Sequence, residues 1–390
     1  MASLLRPVPM LLLAPFIASV AEGCDCGART AAPPHPTPTA GPDPVVLTDD
    51  GCVVDVPRLD PSVHRGVCYA HNYQANGSRG YGSETSRRSL RELREVGVDW
   101  LSLTPFAFMA GLSSPEVRMI GDYPAGESDE RMHRELASAE ELGFKVMLKP
   151  HIWVRGGGWR GAIRFDTEAE WDRWFSSYRD YMLHYAAMAE TGGAEALVVG
   201  VETDHITMSH EAEWRDLIRE VRTRYQGQIV YAANWDKVED VPIWDAVDAI
   251  GVQFYPPLAR ESGQPLAALR ENMDAWFDRL GALARRTGRP VILTEVGYRS
   301  VRDCELRPHE WPERDSEEPV VDPQAQARAY RVLLQASAGK DWLRGIYVWK
   351  WFTDPDANEE GPAGFSPRDK PAEAVLRTAF SESCPPAESN

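Results

Sequence analysis

The chain has 390 residues, 43% of them hydrophobic, and its 42 basic against 59 acidic side chains leave a formal charge of −17. This length and composition exclude a mostly disordered chain and provide a core that needs no metal or disulfide cage. The acidic balance, with no Lys/Arg block, argues against nucleic acid or an anionic membrane as the main partner.

In chain order, Arg6 followed by the apolar stretch Met10–Val20 reads as a signal peptide over residues 1–23, too short to span a bilayer. Ser19-Val20-Ala21 could be cleaved for secretion, and Ala21-Glu22-Gly23-Cys24 is an imperfect lipoprotein box that would anchor the chain through Cys24. The expected location is therefore extracytoplasmic, either secreted or lipid-anchored at the cell envelope. Residues 24–61 form a Pro-rich linker or N-terminal extension, with six prolines between Ala31 and Pro44. No later segment is apolar enough for a membrane span. Six cysteines, at 24, 26, 52, 68, 304 and 384, suit an oxidising compartment. One bridge among Cys52, Cys304 and Cys384 is expected, with Cys68 a buried thiol, and Cys24-x-Cys26 has the wrong spacing for zinc.

From residue 62 to 380, short apolar runs alternate with longer amphipathic segments. The predicted strands are Gly66–Tyr69, Trp100–Pro105, Lys145–Pro150, Ala196–Gly200, Gln228–Ala232, Ala249–Phe254, Val291–Thr294 and Gly345–Trp349. The predicted helices are Glu84–Val96, Asp129–Leu142, Glu168–Thr191, Glu211–Tyr225, Leu266–Thr287, Gln324–Ala338 and Ala372–Phe380, with a short helical turn near Ile243–Ala246. Alternation implies parallel pairing through crossovers, and the continuous hydrophobicity of the strands implies burial on both faces. Eight such units predict an α/β fold, a (β/α)8 TIM barrel, ahead of an open doubly wound sheet. The latter usually carries a Gly-rich turn after its first strand, where this chain has Ala70-His71-Asn72-Tyr73. Residues 381–390 form a C-terminal tail, and residues 301–321 a long insertion after the seventh strand.

In such a barrel the chemistry sits at the C-terminal ends of the strands. Val199-Gly200-Val201-Glu202 and Leu293-Thr294-Glu295-Val296-Gly297-Tyr298 each place a carboxylate where an apolar strand stops, on the fourth and seventh strands. For either glutamate alone, a salt bridge to a neighbour such as Lys149 or Arg299 would satisfy the charge. Two together across a barrel mouth are the equipment of glycoside hydrolysis, one giving a proton to the leaving oxygen while the other attacks or activates water. Trp153, Trp159, Trp235, Tyr255, Trp349 and Trp351 also follow strand ends, where flat rings could stack on sugars. His71 could line the site or serve the structure.

Other motifs fail on context. Gly156-x-Gly158-x-x-Gly161 spells a dinucleotide fingerprint but follows the third strand and opens no helix. His210-Glu211 and His309-Glu310 begin like zincin helices, yet Trp214 and Glu313 stand where the second histidine must be. No metal or organic cofactor is expected. Asn76-Gly77-Ser78 is formally a glycosylation sequon and reads as a turn.

From about Gly66 to Leu376 the chain resembles the retaining β-mannanases of glycoside hydrolase family 113. The resemblance rests on Leu148-Lys149-Pro150-His151, Trp159-Arg160-Gly161, Val199–Glu202, Ala232-Ala233-Asn234-Trp235-Asp236, Tyr255-Pro256-Pro257-Leu258, Thr294–Ser300 and Trp349-Lys350-Trp351. It implies a catalytic pair in which Glu202 is the acid/base and Glu295 the nucleophile. It implies that His151, Trp159, Asn234, Trp235, Tyr255 and Trp349 bind substrate, with Tyr255 hydrogen-bonded to the nucleophile. On this reading Lys149 or Arg299 keeps Glu295 ionised, and an apolar setting keeps the proton on Glu202. Val201 stands where most of the wider clan has Asn, which leaves open the group that holds the sugar 2-hydroxyl. The implied protein is a monomeric endo-β-1,4-mannanase acting on mannan or glucomannan by double displacement. The alternatives are the same chemistry on a glucan, galactan or cell-envelope glycan, and an inactive carbohydrate-binding barrel.

Overall fold

The computed structural model describes residues 44–46, 48, 52–73, 77–119, 126–310, 318–357 and 360–381. The expected leader, Cys24, the proline-rich stretch up to Asp43, Asn76 and most of the tail lie outside them. The chain divides into two units, Met1–Thr39 and Ala40–Asn390, and the barrel lies in the second.

Eight parallel strands close on themselves: β1 (His64–Ala70), β2 (Trp100–Leu103), β3 (Lys145–Leu148), β4 (Ala196–Val201), β5 (Gln228–Asn234), β6 (Ala249–Gln253), β7 (Val291–Val296) and β8 (Leu343–Phe352), with β1 pairing both β2 and β8. Around them run α1 (Glu84–Val96), α2 (Asp129–Glu141), α3 (Glu168–Thr191), α4 (Asp204–Ser209), α5 (Glu211–Arg224), α6 (Leu266–Thr287), α7 (Pro323–Ser337) and α8 (Pro371–Phe380). This is the expected (β/α)8 barrel, and the predicted elements match these to within a few residues. Local signals start the helices where the sequence changes character. Ser83 caps α1, a Thr167/Glu170 capping box opens α3, and Asp322 caps α7 ahead of Pro323.

Residues alternate along each strand between two cores. Cys68, Met147, Ala196, Val198, Val230, Ala232, Ala249, Ile292 and Tyr347 fill the barrel interior, whereas Leu197, Val199, Ile229, Ile250, Leu293 and Ile346 meet the helices. At the foot of the barrel, His64 stacks on Trp100 at 3.7 Å and bonds the Tyr347 hydroxyl through Nδ1. Gly66 is required there, because a Cβ would lie 2.4 Å from the Tyr347 ring. Residues 52–59, which the sequence assigns to the extension, pack on this framework. Val53, Val56 and Leu59 are buried, and the Val53 and Leu59 amides donate to Thr378 Oγ1 and the Ala379 carbonyl on α8.

Three features depart from expectation. The third strand ends at Leu148, since Pro150 has no N–H to donate, and the chain resumes at His151–Val154 in a separate sheet with Phe106–Met109 and Arg118–Met119. Turns without a helix join β5 to β6 around Ile243–Ala246. The pairing of β1 with β8 skips Lys350, which turns Trp351 out of the barrel mouth and into the outer core. The cysteines do not conflict with expectation: Cys68 is a buried free thiol as expected, Cys304 is also free and buried, and Cys52 is disulfide-bonded. Of the expected insertion after β7, residues 311–317 lie outside the described residues; the rest is pinned by a Val301–Val321 bridge and by the Leu258 and Ala259 amides donating to the Glu305 carbonyl.

Candidate active site

Both strand-end glutamates are aimed by irregularities in their strands. On β7 the register against β6 jumps from Leu293↔Val252 to Glu295↔Gln253, so an extra residue is accommodated and Thr294 and Glu295 both reach inward contacts. On β4 the register against β5 jumps from Val198↔Val230 to Val201↔Ala232, and Glu202 follows at φ +53°. A non-glycine residue in this left-handed region is strained, and such residues cluster at functional sites.

Glu295 is almost fully enclosed. Lys149 Nζ, with no exposed surface, lies 2.9 Å from Glu295 Oε2 and also donates to the Thr294 carbonyl at 3.0 Å. Gln253 Nε2 donates to Oε2 at 2.7 Å, and the Tyr255 hydroxyl donates to Oε1 at 2.6 Å. Burial pushes the Glu295 carboxyl up, but the Lys149 charge and the Lys149, Tyr255 and Gln253 hydrogen bonds outweigh it and hold the group below its usual value. Burial raises the neighbouring Cys68 thiol to about 12, so Cys68 stays neutral and Glu295 is the anion that balances Lys149. The salt-bridge alternative for Glu295 is thus real in geometry, with Lys149 as the partner and not Arg299.

Glu202 has different company. Arg160 Nη1 forms an ion pair with Glu202 Oε2, and Trp159 Nε1 donates to the same oxygen at 3.2 Å. The expected apolar setting is absent, because the turn through Gly156 and Gly157, at φ +83° and +85°, brings Arg160 back over the strand end. Arg160 is itself fixed by its Nε donating to the Ile152 carbonyl at 3.1 Å and by Nη2 facing His151 Nδ1 at 3.4 Å.

The other predicted residues divide into two groups. Asn234 continues the inward Val230–Ala232 face of β5 and sits opposite Gln253, and Trp349 continues the inward Tyr347 face of β8 with Lys149 Nζ 6.0 Å from its ring centroid. His151 is buried beneath Arg160 and Phe106, with Nε2 unpartnered, and burial drives its pKa well below the usual value, so it is neutral. Trp235, at the end of β5, has its ring edge-on to Trp276 of α6 at 5.2 Å and near His309. His71 is structural, accepting from the Tyr81 amide through Nδ1.

Sequence reasoning left Gln253, Arg160 and Asp204 out of the site. Gln253 follows the inward period of β6 from Ala249, a signal that could have found it. Asp204, raised to about 7 chiefly by burial, accepts from the Tyr231 hydroxyl and the Asn234 amide, tying the segment after Glu202 to the end of β5. Among the described residues no cluster of His, Cys, Asp or Glu could hold a metal ion. The arrangement is one carboxylate kept anionic by a buried lysine at the end of β7 and a second beside a guanidinium at the end of β4, with β5 and β6 between them. Such a pair can attack a carbon centre and exchange a proton with the departing oxygen.

The sequence profile described as Glycoside Hydrolase Family 113 matches residues 71–365. Among solved structures, a GH113 β-mannanase from Alicyclobacillus acidocaldarius in complex with ManMIm is 31% identical, with 82% of this chain and 98% of that one covered and a TM-score of 0.71. A GH113 β-1,4-mannanase solved as a complex is 28% identical over the same shares, also with a TM-score of 0.71. No curated protein matches the chain.

Proposed function

The chain belongs to Glycoside Hydrolase Family 113 and is a retaining glycoside hydrolase, and from that premise we propose that it is an endo-β-1,4-mannanase acting on mannan or glucomannan. Glu295 is the nucleophile and Glu202 the acid/base. In the first half-reaction a Glu295 oxygen bonds the anomeric carbon as the glycosidic C–O bond breaks, and the Glu202 proton passes to the departing oxygen. In the second, Glu202 takes a proton from water, whose oxygen displaces Glu295 and restores the β configuration. The observation that carries the assignment is the buried Lys149–Glu295 pair with its Tyr255 and Gln253 donors. It preserves the anion needed for attack. When the glycosyl ester forms, Lys149 loses its counter-ion inside the barrel, which favours the hydrolysis that regenerates the carboxylate. Retention requires the two carboxyl groups to work about 5–5.5 Å apart in the reacting complex. Asn234, Tyr255, Trp159 and Trp349 contact the sugars, and His151 supports Arg160 beneath them.

We also propose that the enzyme works outside the cytoplasm as a monomer, secreted or anchored through Cys24. The disulfide at Cys52 suits an oxidising compartment.

Product analysis on mannan, glucomannan, cellulose, xylan and galactan, with Glu295→Ala alongside, tests the reading. Wild type should release manno-oligosaccharides. Glu295→Ala should lose turnover while remaining folded, and azide should restore turnover of an activated substrate as an α-glycosyl azide. Manno-oligosaccharides from both proteins would overturn the nucleophile, and products from another polymer alone would overturn the substrate.

A further inference from the structure

The separate sheet at the barrel mouth has two unlike faces. Phe106–Met109 and His151–Val154 run parallel with Phe106 opposite His151 and Phe108 opposite Trp153. Ala107, Met109, Ile152 and Val154 point down and are buried in the main core. The other face carries Phe106, Phe108 and Trp153, with Trp153 edge-on to Phe106 at 6.1 Å and 48% exposed. Trp159, 52% exposed, is bonded to Glu202. Single exposed aromatics are ordinary. This group is contiguous with a catalytic carboxylate, because Arg160 joins the carbonyl of Ile152, next to Trp153, directly to Glu202.

We infer that Trp153 and Phe108 form a remote sugar-binding subsite, a platform on which a pyranose of the β-linked chain lies at least one unit away from the cleaved bond. Pyranose rings in the chair form present C–H faces that match flat aromatic rings, and their hydroxyls stay in water at the rim. An exposed indole on a strand anchored from below costs little ordering entropy on binding. Trp153 stands two residues beyond His151, roughly 7 Å further along its strand, and we assign its effect to chain length rather than chemistry. This inference rests on the proposed glycan hydrolysis and adds to it a determinant of polymer over short substrate.

The test compares Trp153→Ala, Trp153→Phe and wild type on manno-oligosaccharides of two to six units and on aryl mannosides of increasing length. The ratio of kcat/KM on the longest over the shortest substrate should fall about tenfold in Trp153→Ala, the size expected for losing a stacked ring face. Trp153→Phe should recover most of it. An unchanged ratio in a wild type that cleaves mannan would overturn the platform and leave the activity standing. If wild type is silent on every mannan, the proposed substrate fails instead. Affinity electrophoresis in gels containing glucomannan, xylan or β-glucan then decides the platform separately: weaker retardation of Trp153→Ala supports it, and equal retardation in every gel overturns it.

Discussion

Lys149 and Glu295 each occupy a position that would be unfavourable alone. An isolated charge in this interior would lose its proton or gain one, but together with Tyr255 and Gln253 the pair keeps both charges. The pH behaviour follows from the sign. Glu295 is held below its usual value, so it stays ionised down to unusually acid pH, and activity is lost as pH falls through that depressed value. In Lys149→Met the burial penalty stands unopposed by the cation, and the acidic limb of kcat/KM should move up by a pH unit or more. Rate profiles from about pH 3 to 8 measure this, with a melting curve to establish that the variant folds. A limb that keeps its position while only the height drops would show that Lys149 does not set the charge of Glu295. At this scale the sequence was partly legible. A carboxylate ending an apolar strand is visible in the letters, whereas the Arg160 contact with Glu202 depends on the path of the Gly156–Gly157 turn, which no periodicity encodes.

Among the elements, strands and helices were readable because burial on two faces and the 3.6-residue stripe leave different patterns. The bulges on β4 and β7 were not, since they reflect how twisted neighbours pair, and the small sheet escaped notice because each of its strands is four residues or fewer. Glu135 on α2 was equally hidden. It is fully buried and clamps the start of α1, accepting from the Gly82 amide and from Ser86 Oγ at 2.8 Å. Burial pushes its carboxyl up to about 7, with the two hydrogen bonds opposing the shift. A raised value means that the folded state binds the proton more tightly than the unfolded one. The stabilisation is therefore complete below the ordinary value of 4.5 and is lost as pH rises through about 7. Glu127 and Asp204, also near 7 through burial, act with the same sign. Thermal stability of the wild type should decline from about pH 5 to 8, and Glu135→Gln should flatten that slope by roughly 3 kcal/mol. Differential scanning calorimetry across the range measures it, and parallel slopes would remove Glu135 from the account.

Across the whole molecule, the two ends of the barrel serve different purposes. Glu202, Glu295, Lys149 and the aromatic rings occupy the C-terminal ends of the strands. The foot is closed by the His64–Trp100 stack, by Arg65 bridging Asp99 and the Phe380 carbonyl, and by residues 52–59 lying on α8. That closure explains why folding and chemistry can be disturbed separately in this architecture. The disulfide at Cys52 belongs to the foot, and among the described residues the remaining cysteines, Cys68 and Cys304, are buried free thiols. Reduction should therefore loosen the segment that leads into β1 without touching the site. A native disulfide contributes about 2–4 kcal/mol. For a domain of this size that corresponds to a fall in Tm of about 3–6 °C, with kcat at 25 °C unchanged. Melting and activity assays with and without a phosphine reductant at neutral pH separate the two quantities. A loss of kcat at a temperature where the reduced protein remains folded would mean that the foot and the mouth of the barrel are coupled, and the separation of roles argued from their positions would fail.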